Sequence, residues 1–124
     1  MSNHRVAICG VGQTERYKTK LTCSLAGLVR EAALNALADA GCEWSDIDAL
    51  IIGKAPDMFE GVVMPEAYLA EALGGVNKPV IRVHTAGSVG GSTAIVAAHH
   101  IKSGLFYRVI PVPCATQSQW NSPW

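Results

Sequence analysis

The side chains that could carry chemistry gather at one corner, "HTAGSVGGST", residues 84–93. Ser88 stands at the centre of "AGSVG", one residue away from the nucleophile elbow G-x-S-x-G, with Ala86 in place of the first glycine. In a strand–turn–helix of that kind the serine hydroxyl stands proud, and backbone N–H groups at the helix start can hold an oxyanion. A serine nucleophile also needs a base, and the base needs a third group to orient it. His84 precedes Ser88 on the same strand end, while His99 and His100 lie more than two helical turns downstream. No order of these residues resembles Ser…Asp…His. The favoured reading is that Ser88 caps the following helix and that Gly87, Gly90 and Gly91 permit close backbone packing. His84 is then the histidine best placed to touch a substrate. Of His99 and His100, one is expected to pack and the other to face solvent.

A second glycine corner, "GVGQTE" (Gly10 to Glu15), begins like the dinucleotide fingerprint G-x-G-x-x-G. Glu15 occupies the third glycine's place and no helix starts there, so a pyrophosphate would lack its helix N-terminus; a tight turn is expected. No G-x-x-x-x-G-K-[ST] loop is present. Cys9, Cys23, Cys42 and Cys114 are scattered, without a C-x-x-C pair or a histidine at ligand spacing. They read as reduced thiols of a cytoplasmic protein, with no metal site.

These corners must be positioned by a small body. The 124 residues carry 10 basic and 10 acidic side chains, so no positive field would gather nucleic acid. Charged residues are 16% of the chain, against about 25% usually, and apolar residues 49%. Such a surface suits a piece normally covered by other polypeptide. The apolar runs fall well short of the roughly 20 residues of a membrane span.

Periodicity predicts strand, helix, strand, helix, strand, helix, strand. "RVAICGVGQT" reads as a strand and turn. Leu25, Leu28, Val29, Ala32, Ala33, Ala36 and Leu37 trace a helical stripe, with Thr22 or Ser24 as N-cap and Gly41 as the stop. "SDIDALIIGK" is a strand, "APDMFEGVVM" a loop, and "PEAYLAEALG" a short helix with proline in its first turn. "KPVIRVH" reads as a strand buried on both faces, and the corner's helix runs to Gly104. "YRVIPVP" is the last strand. The alternation predicts an α/β domain over residues 1–113 with a mostly parallel sheet flanked by helices. An irregular tail, residues 114–124, leaves the last crossover without a helix. The chain is therefore read as the incomplete first part of a longer protein.

At the corner, "KPVIRVHTAGSVGGSTAIVAAHHIKSG" resembles the strand and nucleophile-bearing helix of the thiolase superfamily. It is most similar to the branch of sterol-carrier-protein-type thiolases called lipid-transfer proteins. "VAICGVGQTE", "LVREAALNALADAGCEWSDIDALIIGK" and "APDMFEGVVMPEAYLAEALG" resemble that branch's preceding segments in order, over roughly residues 5 to 110. The resemblance implies a thiolase-like N-terminal half. Registering Gly90–Gly91 and Ser103–Gly104 on the family's glycines puts Gly87 where the reactive cysteine belongs, and "PVPCATQSQW" departs from the family. A glycine cannot be acylated, so the resemblance implies acyl-CoA chemistry without an acyl-enzyme. The implied reaction is retro-aldol carbon–carbon cleavage of a lipid or steroid CoA thioester in the intact protein, with no bound cofactor. It further implies a homodimer and an OB-fold partner that binds acyl-CoA. Rival readings are an acyl-CoA acyltransferase, a non-catalytic lipid-binding or scaffold subunit, and a serine hydrolase using Ser88.

Overall fold

The computed structural model describes residues 5–15, 24–54 and 63–114. Three helices, α1 (Leu25–Ala40), α2 (Pro65–Ala70) and α3 (Val89–Lys102), accompany three strands, β1 (Ala49–Lys54), β2 (Val80–Val83) and β3 (Val109–Cys114). The strands form one all-parallel sheet in the order β2-β1-β3. The α/β class and the parallel sheet expected from the alternation are both present. β3 reaches Cys114, one residue past the boundary placed at 113; the remainder of the expected tail, the loop 55–62 and Thr22 lie outside the described residues.

β1 is the buried centre, with every residue inaccessible to solvent. Its alternation assigns the faces. Leu50 and Ile52 join Leu25, Val29, Ala33 and Leu37 of α1, Leu69 and Leu73 after α2's start, and Val112 in one core. Gly53 points the other way, toward Val89 and Thr93 of α3. The four buried residues of α1 recur every fourth position, as a helix face pressed on a sheet requires. Ser24, not Thr22, is the described N-cap: its Oγ accepts the Gly27 N–H at 3.1 Å. Gly41 takes the left-handed conformation (φ 65°) that ends the helix, with the Cys42 N–H bonding back to the Leu37 carbonyl at 2.9 Å.

The expected first strand is absent. Residues 5–15 are described without regular structure, and Ile8 and Val11 are exposed. The reason lies in the ladder. The Leu50 N–H donates to the Pro79 carbonyl at 3.0 Å, so even-numbered residues of β1 turn their peptide groups to β2 and odd-numbered ones to β3. With Ala49 opposite Val109, this fixes the parity of β3. Even-numbered residues there turn their peptide groups toward β1, so Val109, Pro111 and Pro113 turn theirs to the free edge. Two of those three lack an N–H, so the edge offers a neighbouring strand almost no donors. β1 is already paired on both sides. The segment instead lies on α1: Val11 N–H donates to Asp39 Oδ2 at 2.9 Å, and Asn35 Nδ2 donates to the Gln13 carbonyl at 3.0 Å. Gly10 and Gly12 sit against the backbone of α1, where a Cβ would collide with carbonyl and amide atoms. The "GVG" corner is therefore a packing device.

Two outcomes are expected. A Cβ on Gly53 would overlap the Thr93 hydroxyl, which donates to the Val89 carbonyl at 2.6 Å in the first turn of α3. Gly53→Ala should lower stability by about 2–3 kcal/mol through overpacking, read by chemical denaturation. Asp48 Oδ2 accepts the Tyr107 and Arg108 N–H groups at 2.7 and 2.9 Å. Those two backbone bonds, Arg108 first, and then the Arg108 and Lys78 charges hold its carboxyl below the usual aspartate range. Its contribution is full above the unfolded pKa of about 3.9 and is lost as pH falls through the lowered folded value. Asp48→Asn should cost about 1 kcal/mol or less at pH 7, because the group is exposed, and nothing once wild type is protonated. Melting both proteins from pH 7 to 2 checks this; a gap that fails to close in acid contradicts it.

Candidate functional site

The corner begins where β2 ends. His84 and Thr85 leave the strand, Ala86–Ser88 make one 3-10 turn, and α3 starts at Val89. Residues 84–88 are exposed. Ala86 has φ 50°, a left-handed conformation that costs a non-glycine residue roughly 1 kcal/mol. It stands where the elbow motif carries its first glycine, so the motif's spacing already pointed to a backbone reversal there.

His84, Gly87 and Ser88 are brought to one surface, but they form no dyad. Ser88 Oγ donates to the Thr85 carbonyl at 2.8 Å. His84 Nδ1 accepts the Ala86 N–H at 3.4 Å, which leaves the proton of the neutral ring on Nε2. The hydroxyl is committed to a carbonyl, so no base activates it. The expected helix cap is corrected too: α3 has no side-chain cap bond, and the Ser88 hydroxyl stabilises the turn before the helix instead. Thr85 and Ser92, which the sequence reading passed over, tie the turn to the helix by a 2.7 Å hydroxyl–hydroxyl bond.

The close packing expected at Gly87, Gly90 and Gly91 is also corrected. A Cβ at any of the three would meet nothing within 4 Å. The close approach of α3 to the sheet falls on Gly53 instead. The helix lies on the sheet through Thr93 and Ala97, and Gly90, Gly91, Ala94 and Ile95 face outward. Among the histidines, His100 is half-buried and stacks on Phe106 at 5.9 Å between centroids, while His99 is exposed, as expected. Lys54, wholly buried at the C-terminal end of β1, was not singled out; an apolar run closing on a lysine was its only signal. Among the described residues no cluster of histidine, cysteine or acidic side chains could hold a metal, and no helix is long and apolar enough to cross a membrane.

No protein-family model matches the chain, and no curated protein does either. Solved structures do match. The 3-oxoacyl-[acyl-carrier-protein] synthase III of Aquifex aeolicus VF5 superposes with a TM-score of 0.63 at 18% identity, over 73% of this chain and 29% of that one. The priming β-ketosynthase of the R1128 polyketide pathway gives 0.64 at 17% identity, over 83% and 41%. The Ltp2-ChsH2(DUF35) aldolase gives 0.66 at 33% identity, over 83% and 25%. All three have the thiolase fold, and this chain shares it. The chain spans 25–41% of the length of these relatives.

Open space at Gly91 gives a direct check. Gly91→Ala should stabilise the chain by up to about 1 kcal/mol, the helix-propensity gain of alanine in an unobstructed helical position. Gly87→Cys should be neutral to folding, since its side chain would project into open space. Thermal melts of both variants read the outcome; a loss of stability in Gly91→Ala would mean that another surface lies against α3.

Proposed function

We propose that the intact protein is a thiolase-like enzyme of lipid or steroid acyl-CoA metabolism that cleaves a carbon–carbon bond by retro-aldol chemistry, without an acyl-enzyme. The observation that carries this reading is the 33% identity, over 83% of the chain, to an aldolase of the same fold. The corner supports it. Between His84 and Gly91 there is no thiol, and the one hydroxyl beside Gly87 already donates to a carbonyl.

In this reading a base removes the proton of the substrate's β-hydroxyl. The resulting alkoxide becomes the carbonyl of the departing ketone or aldehyde as the Cα–Cβ bond breaks. That bond's electron pair passes into the thioester as an enolate, and the enolate is then protonated. Stabilising the enolate requires donors rather than a nucleophile. His84 supplies one, because its Nδ1 is held by the Ala86 N–H and its Nε2–H is directed elsewhere. Gly87 leaves the room a bulky thioester needs beside the start of α3. The base, a homodimeric partner and an acyl-CoA-binding OB-fold subunit belong to the proposal for the whole protein, which acts in the cytoplasm.

The test is to incubate the chain with acetoacetyl-CoA and CoA, with and without iodoacetamide, and to map acyl adducts by mass spectrometry. The expected result is no iodoacetamide-sensitive thiolysis and no adduct on residues 84–91. An acyl group on Ser88, or thiolysis abolished by alkylation, overturns the reading in favour of an acyltransferase or a serine enzyme.

A further inference from the structure

Away from the corner, residues 6–14 leave an open apolar groove beside β3. It measures about 790 Å³ and lies beyond the free edge of β3, between α1 and α3, with residues 6–14 across its outer side. Leu28, Ala32 and Ala36 of α1 and Ala98 and Ile101 of α3 line it, with the exposed Ala94 at its rim. Arg108 is the one charged residue on its wall among the described residues. No residue from 84 to 91 lines it, so it is separate from the corner.

Its floor decides what it can hold. A polypeptide strand entering the slot would need donors from β3, and Pro111 and Pro113 turn toward it without an N–H. A hydrocarbon asks for none. A second, open depression of about 850 Å³ adjoins the first and shares Val6, Ala7, Cys9, Ile101, Tyr107 and Arg108 with it. There Arg5 joins Arg108, while the third charge, Asp48, is already held by the Tyr107 and Arg108 amides. The Arg108 guanidinium lies 5.2 Å from the Tyr107 ring centroid.

We propose that this pair of cavities binds a long-chain aliphatic carboxylate, its chain between α1 and α3 and its head at Arg5 and Arg108. The size and apolar lining are those of a small-molecule site with a few polar groups at one end. The proposal does not depend on the chemistry assigned to the corner. The three described thiols, Cys9, Cys42 and Cys114, all line the first cavity and provide an internal reporter.

The experiment titrates the full chain with cis-parinaric acid and follows its fluorescence. Saturable binding of one molecule per chain is expected, with dodecanoate displacing it better than dodecanol. Arg108→Gln should weaken parinarate about tenfold, the effect of losing one charge-assisted bond, and should shrink the dodecanoate–dodecanol difference. Ala36→Phe, which fills the cavity, should abolish binding while far-UV circular dichroism stays as in wild type. If that variant does not fold, alkylation decides: dodecanoate should slow iodoacetamide labelling of Cys42 and Cys114 in wild type. The proposal is overturned by non-saturable fluorescence, by equal displacement by dodecanol, or by labelling that dodecanoate leaves unchanged. A concentration-dependent dimer that protects those thiols without ligand also overturns it, since a second copy then fills the space.

Discussion

The pairing of β1, with its Leu50 N–H given to the Pro79 carbonyl and Ala49 set opposite Val109, sets the parity on which the arrangement of this chain depends. It decides which edge of β3 faces β1 and so sends both prolines outward. At the start of β3 the Asp48 carboxylate accepts the Tyr107 and Arg108 N–H groups and the Asp48 N–H donates to the Arg108 carbonyl, three bonds within two residues. With β1 enclosed and the outer edge of β3 poor in donors, the N-terminal segment, which lies beside α1 and β3, joins neither β1 nor β3. It settles on α1 through glycine contacts, and a slot stays open behind it.

The corner after β2 is organised by a different rule. Its hydroxyls and imidazole bond to backbone and to each other within nine residues, Thr85 to Ser92, Ser88 to Thr85 and His84 to Ala86. Such local closure holds a turn open to solvent without a buried core beneath it. The helix that follows is fixed to the sheet further along, through Thr93 against Gly53 and Ala97. Val89 and Thr93 meet Gly53 at the start of α3, and the outer side of the first turn, with its two glycines, is left exposed.

What the sequence made legible follows from the range of the forces involved. The stripe on α1, its Ser24 and Gly41 ends, the proline at the start of α2 and the continuous apolar run of β1 are local patterns, and each formed the element it signalled. "RVAICG" has the same local signature as a strand and did not become one, because strand formation needs a partner edge that no local pattern reports. The glycine corner misled in the opposite sense. Gly87, Gly90 and Gly91 looked like contact points, whereas the contact falls on Gly53, a glycine inside an ordinary-looking strand. Close approach is a property of two surfaces, and only one was visible at each position. Of the candidate site residues, the sequence placed His84, Gly87 and Ser88 together but could not show where their hydrogens point.

The outward prolines of β3 have a further effect on how copies of this chain can meet. Edge-to-edge growth of sheets requires alternating donors and acceptors along an open strand, and it is the usual first step of amyloid-type association. Along β3 the outward positions supply carbonyls but a single N–H, at Val109. Addition there is blocked, while β2 keeps an ordinary backbone along Val80–Val83. Among the described strands, edge-to-edge joining of these sheets is thereby directed to β2. Two prolines thus close one described edge to further strands and leave the other open, a polarity in how the sheet can be extended.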